Sequence, residues 1–137
     1  MMTTPWLRDA NFATTKAFPA ANATNYADAF DLGAAAGGVD TRLFAFEIVI
    51  PAMPANTDNT KTATLTLQDS ADGTTFANVA PLVQAQIVGV TSTGSAAVTY
   101  RIYLPPGIKQ YVRFAQNVVT GGGDNTGVSV AYALLFH

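Results

Sequence analysis

The sequence of residues 104–114 is Leu-Pro-Pro-Gly-Ile-Lys-Gln-Tyr-Val-Arg-Phe, and the predicted fold depends on it. The segment Pro105-Pro106-Gly107 must turn the chain, because each proline fixes φ and lacks a backbone N–H donor. One strand is expected to end before this turn and another to begin near Gln110. In the second strand Tyr111 and Arg113 face the same side of a sheet, since side chains alternate between its two faces. The stretch predicts a corner between two strands, and nothing in it is typical of a catalytic site.

Alternation of apolar and polar residues extends along most of the chain on both sides of this corner. Residues 42–50 predict a buried strand, with aromatic and β-branched side chains on one face. Residues 61–68 predict a half-buried strand that turns Ala63, Leu65 and Leu67 inward. In total there are about eight strands separated by short turns, and almost nothing has a helical period. This spacing predicts an all-β fold, an antiparallel β-sandwich with a jelly-roll or other Greek-key order.

Residues 1–25 differ in composition from the rest of the chain. They are rich in Thr, Ala and Asn and show no sustained strand or helix period. Flexible tails usually lack large apolar residues, whereas this segment contains several. Those expected to make contacts are Trp6, Leu7, Phe12 and Phe18. We therefore predict an extended N-terminal arm over residues 1–25, followed by the sandwich domain over residues 26–137. The arm lies either on a partner or on its own domain, and the sequence favours neither placement.

The composition excludes several classes of function. Charged residues make up 12% of the 137 residues, whereas ~25% is usual in soluble domains. A net charge of −2, with seven thinly spread Lys and Arg residues, provides no basic stripe for nucleic acid. There is no cysteine, the start does not read as a signal peptide, and no apolar run is long enough for a membrane span. A polar, weakly charged surface suits a protein that is packed against neighbours.

Candidate catalytic and metal-binding residues are few. The single histidine, His137, has nothing after it to fix its position, and without cysteine or another histidine no hydrolytic triad can be assembled. Glu47 interrupts a hydrophobic strand, and we interpret it as an ion-pair or surface residue, not as half of a catalytic carboxylate pair. The spacing of Asp69, Asp72 and Asp124 is typical of turns and not of a calcium loop. We predict that the protein is not an enzyme and has no catalytic residue, cofactor or metal site.

Two tyrosines complete the set of candidate contact residues. Tyr103 and Tyr111 flank the proline corner, opposite the apolar side of at least one strand. Tyrosine is enriched at protein interfaces, so we predict that both contact a partner, with packing in the core or at a sheet edge as the alternative. Most other aromatic residues at strand positions, Phe76 among them, are expected in the core.

With these features in place, residues 61–136 resemble the cement or decoration proteins of tailed-phage capsids. The order and spacing of several short segments carry the resemblance. They are Leu67-Gln68-Asp69-Ser70, Asp72-Gly73 with Phe76, Leu104-Pro105, Lys109-Gln110-Tyr111-Val112-Arg113, the Gly-rich loop after residue 120 and the terminal strand. The resemblance implies a jelly-roll-like sandwich that binds the major capsid protein as a homodimer or homotrimer on the outer surface of the virion, after synthesis in the host cytoplasm. Residues 1–60 match less well, so nothing is implied about the arm.

Two other interpretations remain open. The turn Ser70-Ala71-Asp72-Gly73 before Phe76, together with Tyr111-Val112-Arg113, is also similar to discoidin-like carbohydrate-binding sandwiches. A surface aromatic cluster and a calcium loop, which a sugar site would need, are not evident in the sequence. The other alternative is a phage tail or connector subunit. If the arm is a contact region of a cement protein, its deletion is expected to weaken capsid attachment while leaving the domain folded.

Overall fold

The computed structural model describes residues 7–20, 22–33, 44–54, 62–119 and 124–136. These residues form ten β-strands and no α-helix. The strands are β1 (Leu7–Ala17), β2 (Ala23–Tyr26), β3 (Phe30–Asp31), β4 (Phe44–Ile50), β5 (Thr62–Ser70), β6 (Ala77–Asn78), β7 (Gln84–Val88), β8 (Val98–Tyr103), β9 (Tyr111–Val118) and β10 (Ser129–Phe136). The all-β prediction is confirmed, with ten strands in the described residues where about eight were expected.

The strands form two antiparallel sheets. One sheet has four strands in the order β1-β10-β4-β8. The other has six, in the order β2-β9-β5-β6, with β3 also paired to β9 and β7 to β5. The predicted β-sandwich is confirmed, and the finer jelly-roll order stays a prediction. In the described part of the chain, no helix has the length and apolar character needed to cross a membrane.

The core lies between the two sheets and follows the predicted alternation. The inward residues of β4 and β5 are almost completely buried, namely Phe46, Ile48, Ile50, Ala63, Leu65 and Leu67. A row of aromatic rings joins the sheets, with neighbouring centroids between 4.9 and 6.5 Å apart, and consists of Phe12, Phe30, Phe46, Phe114 and Tyr132. Each aromatic pair adds about 0.5–1.5 kcal/mol beyond the burial of its surface. The row therefore fixes how the two sheets pack on each other.

The proline corner carries the chain from one sheet to the other. β8 ends at Tyr103 in the four-stranded sheet, and β9 begins at Tyr111 in the six-stranded sheet. Gly107 has a φ of 77°, a left-handed conformation that glycine adopts without steric cost. The backbone N–H of Lys109 donates to Oδ2 of Asp69 at 3.1 Å, which ties the corner to the end of β5. The predicted corner is confirmed, and it joins the two sheets.

The N-terminal segment is part of the sandwich. β1 pairs with β10 as the outermost strand of its sheet, with a register shift between Arg8 and Ala13. Phe18 follows β1 into the core and is 2% exposed. The chain then crosses to the six-stranded sheet, where β2 pairs with β9. Where it is described, the predicted arm is extended and lies on its own domain. The boundary predicted at residue 25 falls inside β2, so residues 7–25 do not form a separate unit.

Candidate interaction surface

The predicted contact residues of the N-terminal segment pack against the sandwich wherever their side chains are described. Trp6 lies outside the described residues, and Leu7 is the first residue of β1. Phe12 is half-buried and stacks on Phe30 with ring centroids 6.5 Å apart. Phe18 belongs to the core cluster. Of the two placements left open for the N-terminal segment, Phe18 takes the one on its own domain, because the sandwich covers its ring.

The two tyrosines beside the corner lie in different sheets and do not form one surface. Tyr103, at the end of β8, is 56% exposed. Tyr111, at the start of β9, is half-buried, and its ring packs over Gly73, where an added Cβ would lie 3.3 Å from the ring. Tyr103 therefore has the exposure expected of a contact residue, whereas Tyr111 packs on the turn that follows β5.

The residues considered for catalysis and metal binding have structural roles where they are described. Glu47 is 8% exposed, and its Oε2 lies 3.4 Å from Nη2 of Arg101, which confirms the ion-pair interpretation. His137 lies outside the described residues. Within the described ranges, no three His, Asp or Glu side chains are close enough together to hold a metal ion.

The turn carboxylates accept hydrogen bonds from their own turns. Oδ1 of Asp72 accepts the Ser70 hydroxyl at 2.8 Å and the backbone N–H groups of Thr74 and Thr75 at 2.9 Å each. These bonds, that of Thr75 above all, hold the pKa of Asp72 well below its ordinary value. Oδ1 of Asp124 likewise accepts two hydrogen bonds from Thr126, one from its backbone N–H and one from its hydroxyl. The prediction that these residues stabilise turns is confirmed for Asp72 and Asp124. It is wrong for Asp69, which lies within β5, is buried, and accepts the backbone N–H of Lys109.

The outward face of the six-stranded sheet carries a cluster that the sequence did not reveal. Arg113 lies between two aromatic rings, with its Cζ 3.9 Å from the ring centroid of Tyr26 and 4.0 Å from that of Phe76. Its Nε–H donates to Oε1 of Gln68 at 2.9 Å. Nε2 of Gln68 in turn donates to Oδ1 of Asn78 at 3.0 Å. We call these five residues the arginine cluster.

Strand pairing assembles the arginine cluster from separate segments of the chain. Gln68 of β5 lies directly opposite Arg113 of β9 on one side and opposite Asn78 of β6 on the other. Tyr26 ends β2, on the far side of β9, and reaches Arg113 diagonally. Phe76 immediately precedes β6, after the turn that Asp72 stabilises. The cluster therefore exists only because β2, β9, β5 and β6 are neighbours.

The Arg113 guanidinium is held in place but not neutralised within the described part of the chain. No described carboxylate forms an ion pair with it, in contrast to Arg101, which pairs with Glu47. Among its N–H donors, only that of Nε has a hydrogen-bond partner in the described residues. Stacking of a cation on a ring contributes about 0.5–1 kcal/mol at an exposed site. Because two rings and one hydrogen bond hold the Arg113 guanidinium, its orientation is fixed. A guanidinium held in this way can bind a planar carboxylate through two parallel hydrogen bonds.

Uncharged polar side chains extend from the arginine cluster along the same face. Those presented by β5, β7 and β9 are Thr62, Thr64, Thr66, Gln84, Gln86 and Asn117. The two glutamines and the asparagine are exposed, and the three threonines are half-buried. This face therefore offers many hydrogen-bonding groups and little charge.

Only part of the arginine cluster could be predicted from the sequence. The outward orientation of Arg113 follows from the alternation in β9 and is confirmed. The prediction that Phe76 lies in the core is corrected, because the ring is half-buried on the outward face against Arg113. An arginine on the outward face of a strand does indicate a polar surface. Its neighbours, however, depend on which strands pair with β9.

Comparison with known proteins adds no relative from which a function could be transferred. No protein-family model matches the chain, and no curated protein matches it significantly. A functional proposal therefore depends on the geometry of this chain and on the resemblance carried by residues 61–136.

Proposed function

We propose that the protein is a structural protein of a tailed-phage virion that binds the outside of the coat lattice and stabilises the junctions between coat subunits. The observation that supports it best is the outward face of the six-stranded sheet, where neutral Thr, Gln and Asn side chains extend from one arginine without a described acidic partner. Such a face suits an extensive polar contact with another protein. The resemblance of residues 61–136 to cement proteins supplies the proposed partner, the major capsid protein.

Stabilisation by such a protein needs no chemistry. A protein that binds only the assembled shell shifts the equilibrium toward assembly by mass action. Copies linked in a homodimer or homotrimer add avidity on a symmetric lattice, so each contact surface can be small. The proposed partners are therefore the coat protein and further copies of this chain, with neither nucleic acid nor membrane involved.

A carbohydrate-binding module is the second candidate, because the arginine cluster brings two aromatic rings to an exposed sheet face. A sugar stacks on an open ring face, whereas the Arg113 guanidinium covers one face of both the Tyr26 and the Phe76 ring. The cluster is thus better suited to an anion than to a neutral sugar, which is why this function ranks second.

Quantitative mass spectrometry of purified virions tests the proposal, with the copy number expressed relative to the coat protein. A ratio near one, or a simple fraction of one, is the expected result for a protein that covers the lattice. A handful of copies per particle would instead favour a tail or connector subunit, and glycan binding would then be measured next. Complete absence from the particles would overturn the virion proposal.

A further inference from the structure

We propose that the arginine cluster is a binding site for a carboxylate of a partner protein, an Asp or Glu side chain that docks on the outward face of the six-stranded sheet. The identification of that partner with the coat lattice rests on the function proposed above. The carboxylate chemistry does not, because it follows from the cluster alone.

The first argument is the orientation of the Arg113 guanidinium. The rings of Tyr26 and Phe76 lie against it at 3.9 and 4.0 Å, and Gln68 accepts its Nε–H at 2.9 Å. These contacts fix the plane of the group and leave the N–H donors of its two Nη atoms without a described partner. The two Nη atoms present parallel N–H groups that match the two oxygens of a carboxylate. Little side-chain entropy is then lost on binding, because the protein has already ordered the arginine.

The second argument is the charge of the surface. The other described basic residues lie elsewhere, since Arg8, Lys16 and Arg101 belong to the four-stranded sheet and Lys109 lies in the corner before β9. A phosphate group carries a charge of about −1.5 to −2 and is usually bound by several basic groups. One arginine amid neutral Thr, Gln and Asn side chains matches a carboxylate, which carries a single charge.

The nearby acidic residues of the chain are already engaged. Asp31, which pairs with Tyr111 at the corner end of this face, accepts hydrogen bonds from the backbone N–H of Gly33 and from Nε2 of Gln110. Asp72 accepts the bonds of its own turn, as described above. Neither carboxylate forms an ion pair with Arg113. A carboxylate for Arg113 must therefore come from outside the described residues.

The third argument favours a side-chain carboxylate over the carboxylate of a chain terminus. Sites for terminal carboxylates use groups of unpaired backbone N–H donors. β9 lies between β5 on one side and β2 and β3 on the other, so ladder bonding engages its backbone on both edges. Side chains are then the donors that remain on this face. They can also bond the backbone of an acidic segment that presents its carboxylate to Arg113.

The experiment is an NMR titration of the full-length protein with two synthetic peptides. The probe is the acidic pentapeptide acetyl-Gly-Glu-Asp-Glu-Gly-amide, and its control is the neutral acetyl-Gly-Gln-Asn-Gln-Gly-amide. The Nε–Hε resonance of Arg113 and the backbone amides of Gln68 and Arg113 report on binding. We expect saturable shifts with the acidic peptide and an affinity at least about tenfold lower for the neutral one. Equal affinities, or no shift at about 10 mM of the acidic peptide, would overturn the site.

Three variants separate the cluster from a general effect of charge. Arg113→Gln is expected to lose acidic-peptide binding, and Arg113→Lys to bind at least several-fold more weakly, because lysine keeps the charge but lacks the paired donors. Arg101→Gln is the matched control, since it removes the same charge from an arginine that already has an acidic partner. Its affinity should equal that of the wild type. Full affinity in Arg113→Gln, or an equal loss in Arg101→Gln, would contradict the proposal; the amide spectrum of each variant establishes that it is folded.

The outcome is independent of the virion measurement. A lattice-like copy number without any response to the acidic peptide would retain the shell function and overturn the carboxylate site. Binding of the peptide through Arg113 by a protein that is absent from virions would retain the site and overturn the shell function.

Discussion

Two polar side chains of β9, Gln116 and Arg113, show how the inner and outer faces of the same strand differ. Gln116 is completely buried. Its Oε1 accepts the Tyr132 hydroxyl at 2.7 Å, and its Nε2 donates to the Ala17 carbonyl at 3.0 Å and to Oδ1 of Asn25 at 2.9 Å. Burial raises the pKa of the Tyr132 hydroxyl, which therefore stays protonated as a donor. The guanidinium of Arg113, three residues earlier in the chain, has N–H donors for which the described residues provide no partner.

The difference distinguishes residues that complete the fold from residues that remain able to bind. The Gln116 network holds the segment between β1 and β2 where it crosses from one sheet to the other, and both protons of its amide are used. A buried polar network of this kind stabilises only when its members are satisfied. The neighbours of Arg113 hold its side chain in place, but none of the described ones neutralises its charge. Changes on the inner face should therefore alter folding, and changes on the outer face should alter binding.

The largest effect on stability is expected from deletion of residues 1–25. The deletion removes β1, the core residue Phe18, and two members of the Gln116 network, Ala17 and Asn25. Truncation of one buried Phe typically costs about 3–5 kcal/mol, out of a total stability of about 5–15 kcal/mol. We expect that the truncated protein shows no cooperative thermal unfolding transition by circular dichroism. Deletion of residues 1–6 alone is the control, since it leaves every described contact in place.

This expectation replaces the one drawn from the sequence, in which the domain stays folded without residues 1–25. A cooperative transition close to that of the full chain, with native-like amide spectra, would restore the view of this segment as a dispensable arm. It would also show that the inner network is not needed to complete the fold.

The second largest loss of stability is expected from Gln116→Leu. The leucine fills a similar volume but lacks the amide group. The Tyr132 hydroxyl then loses its partner inside the core, and Oδ1 of the half-buried Asn25 loses one at the edge of the core. A buried polar group without a partner costs about 1–3 kcal/mol, so the free energy of unfolding should fall by about 2–5 kcal/mol in urea denaturation.

A double-mutant cycle tests whether the network causes that loss. Tyr132→Phe removes the hydroxyl and should itself destabilise, because Oε1 of Gln116 is then left without its donor. Combined with Gln116→Leu it should cost less than the sum of the single variants, since both remove the same hydrogen bond. Additive effects would mean that the destabilisation arises from packing and not from the network.

Local patterns were enough to predict the class of fold. Period-two alternation in β4, β5 and β9 identified the core-facing residues correctly, because the apolar side chains of each strand alternate with more polar or smaller ones. In β4 the opposite face is also largely buried, at Ala45 and Glu47. The proline corner was predictable for a similar reason, since proline restricts its own φ whatever its surroundings.

Features that depend on long-range pairing could not be read from the sequence. β1 lacks alternation because its register with β10 shifts between Arg8 and Ala13, which breaks the period of two. The arginine cluster joins Tyr26, Gln68 and Arg113 from three strands whose adjacency no local pattern specifies. Phe76 was placed in the core because hydrophobicity alone does not distinguish a ring in the core from one stacked on a guanidinium.

A smaller effect on stability is expected from Arg113→Gln. The variant loses two cation–ring contacts and one hydrogen bond, all on a partly exposed face where water can replace them. We expect a loss of about 1–2 kcal/mol in urea denaturation, below that of Gln116→Leu. Destabilisation as large as that of Gln116→Leu would contradict the comparison, because the outer cluster would then also be part of what completes the fold.

The smallest effect on stability concerns the turn before Phe76, and it should disappear in acid. Hydrogen bonds from Thr75, Thr74 and Ser70 lower the pKa of Asp72 below its value of 3.8 in an unfolded chain. A carboxylate with a lowered pKa stabilises the folded state above the unfolded pKa, and that contribution is lost as the pH falls below it. Asp72→Asn should therefore be less stable than the wild type near pH 6, and the difference should shrink toward pH 2, as measured by urea denaturation at each pH. A stability difference that does not change between about pH 6 and pH 2 would mean that the Asp72 carboxylate does not support this side of the outer face.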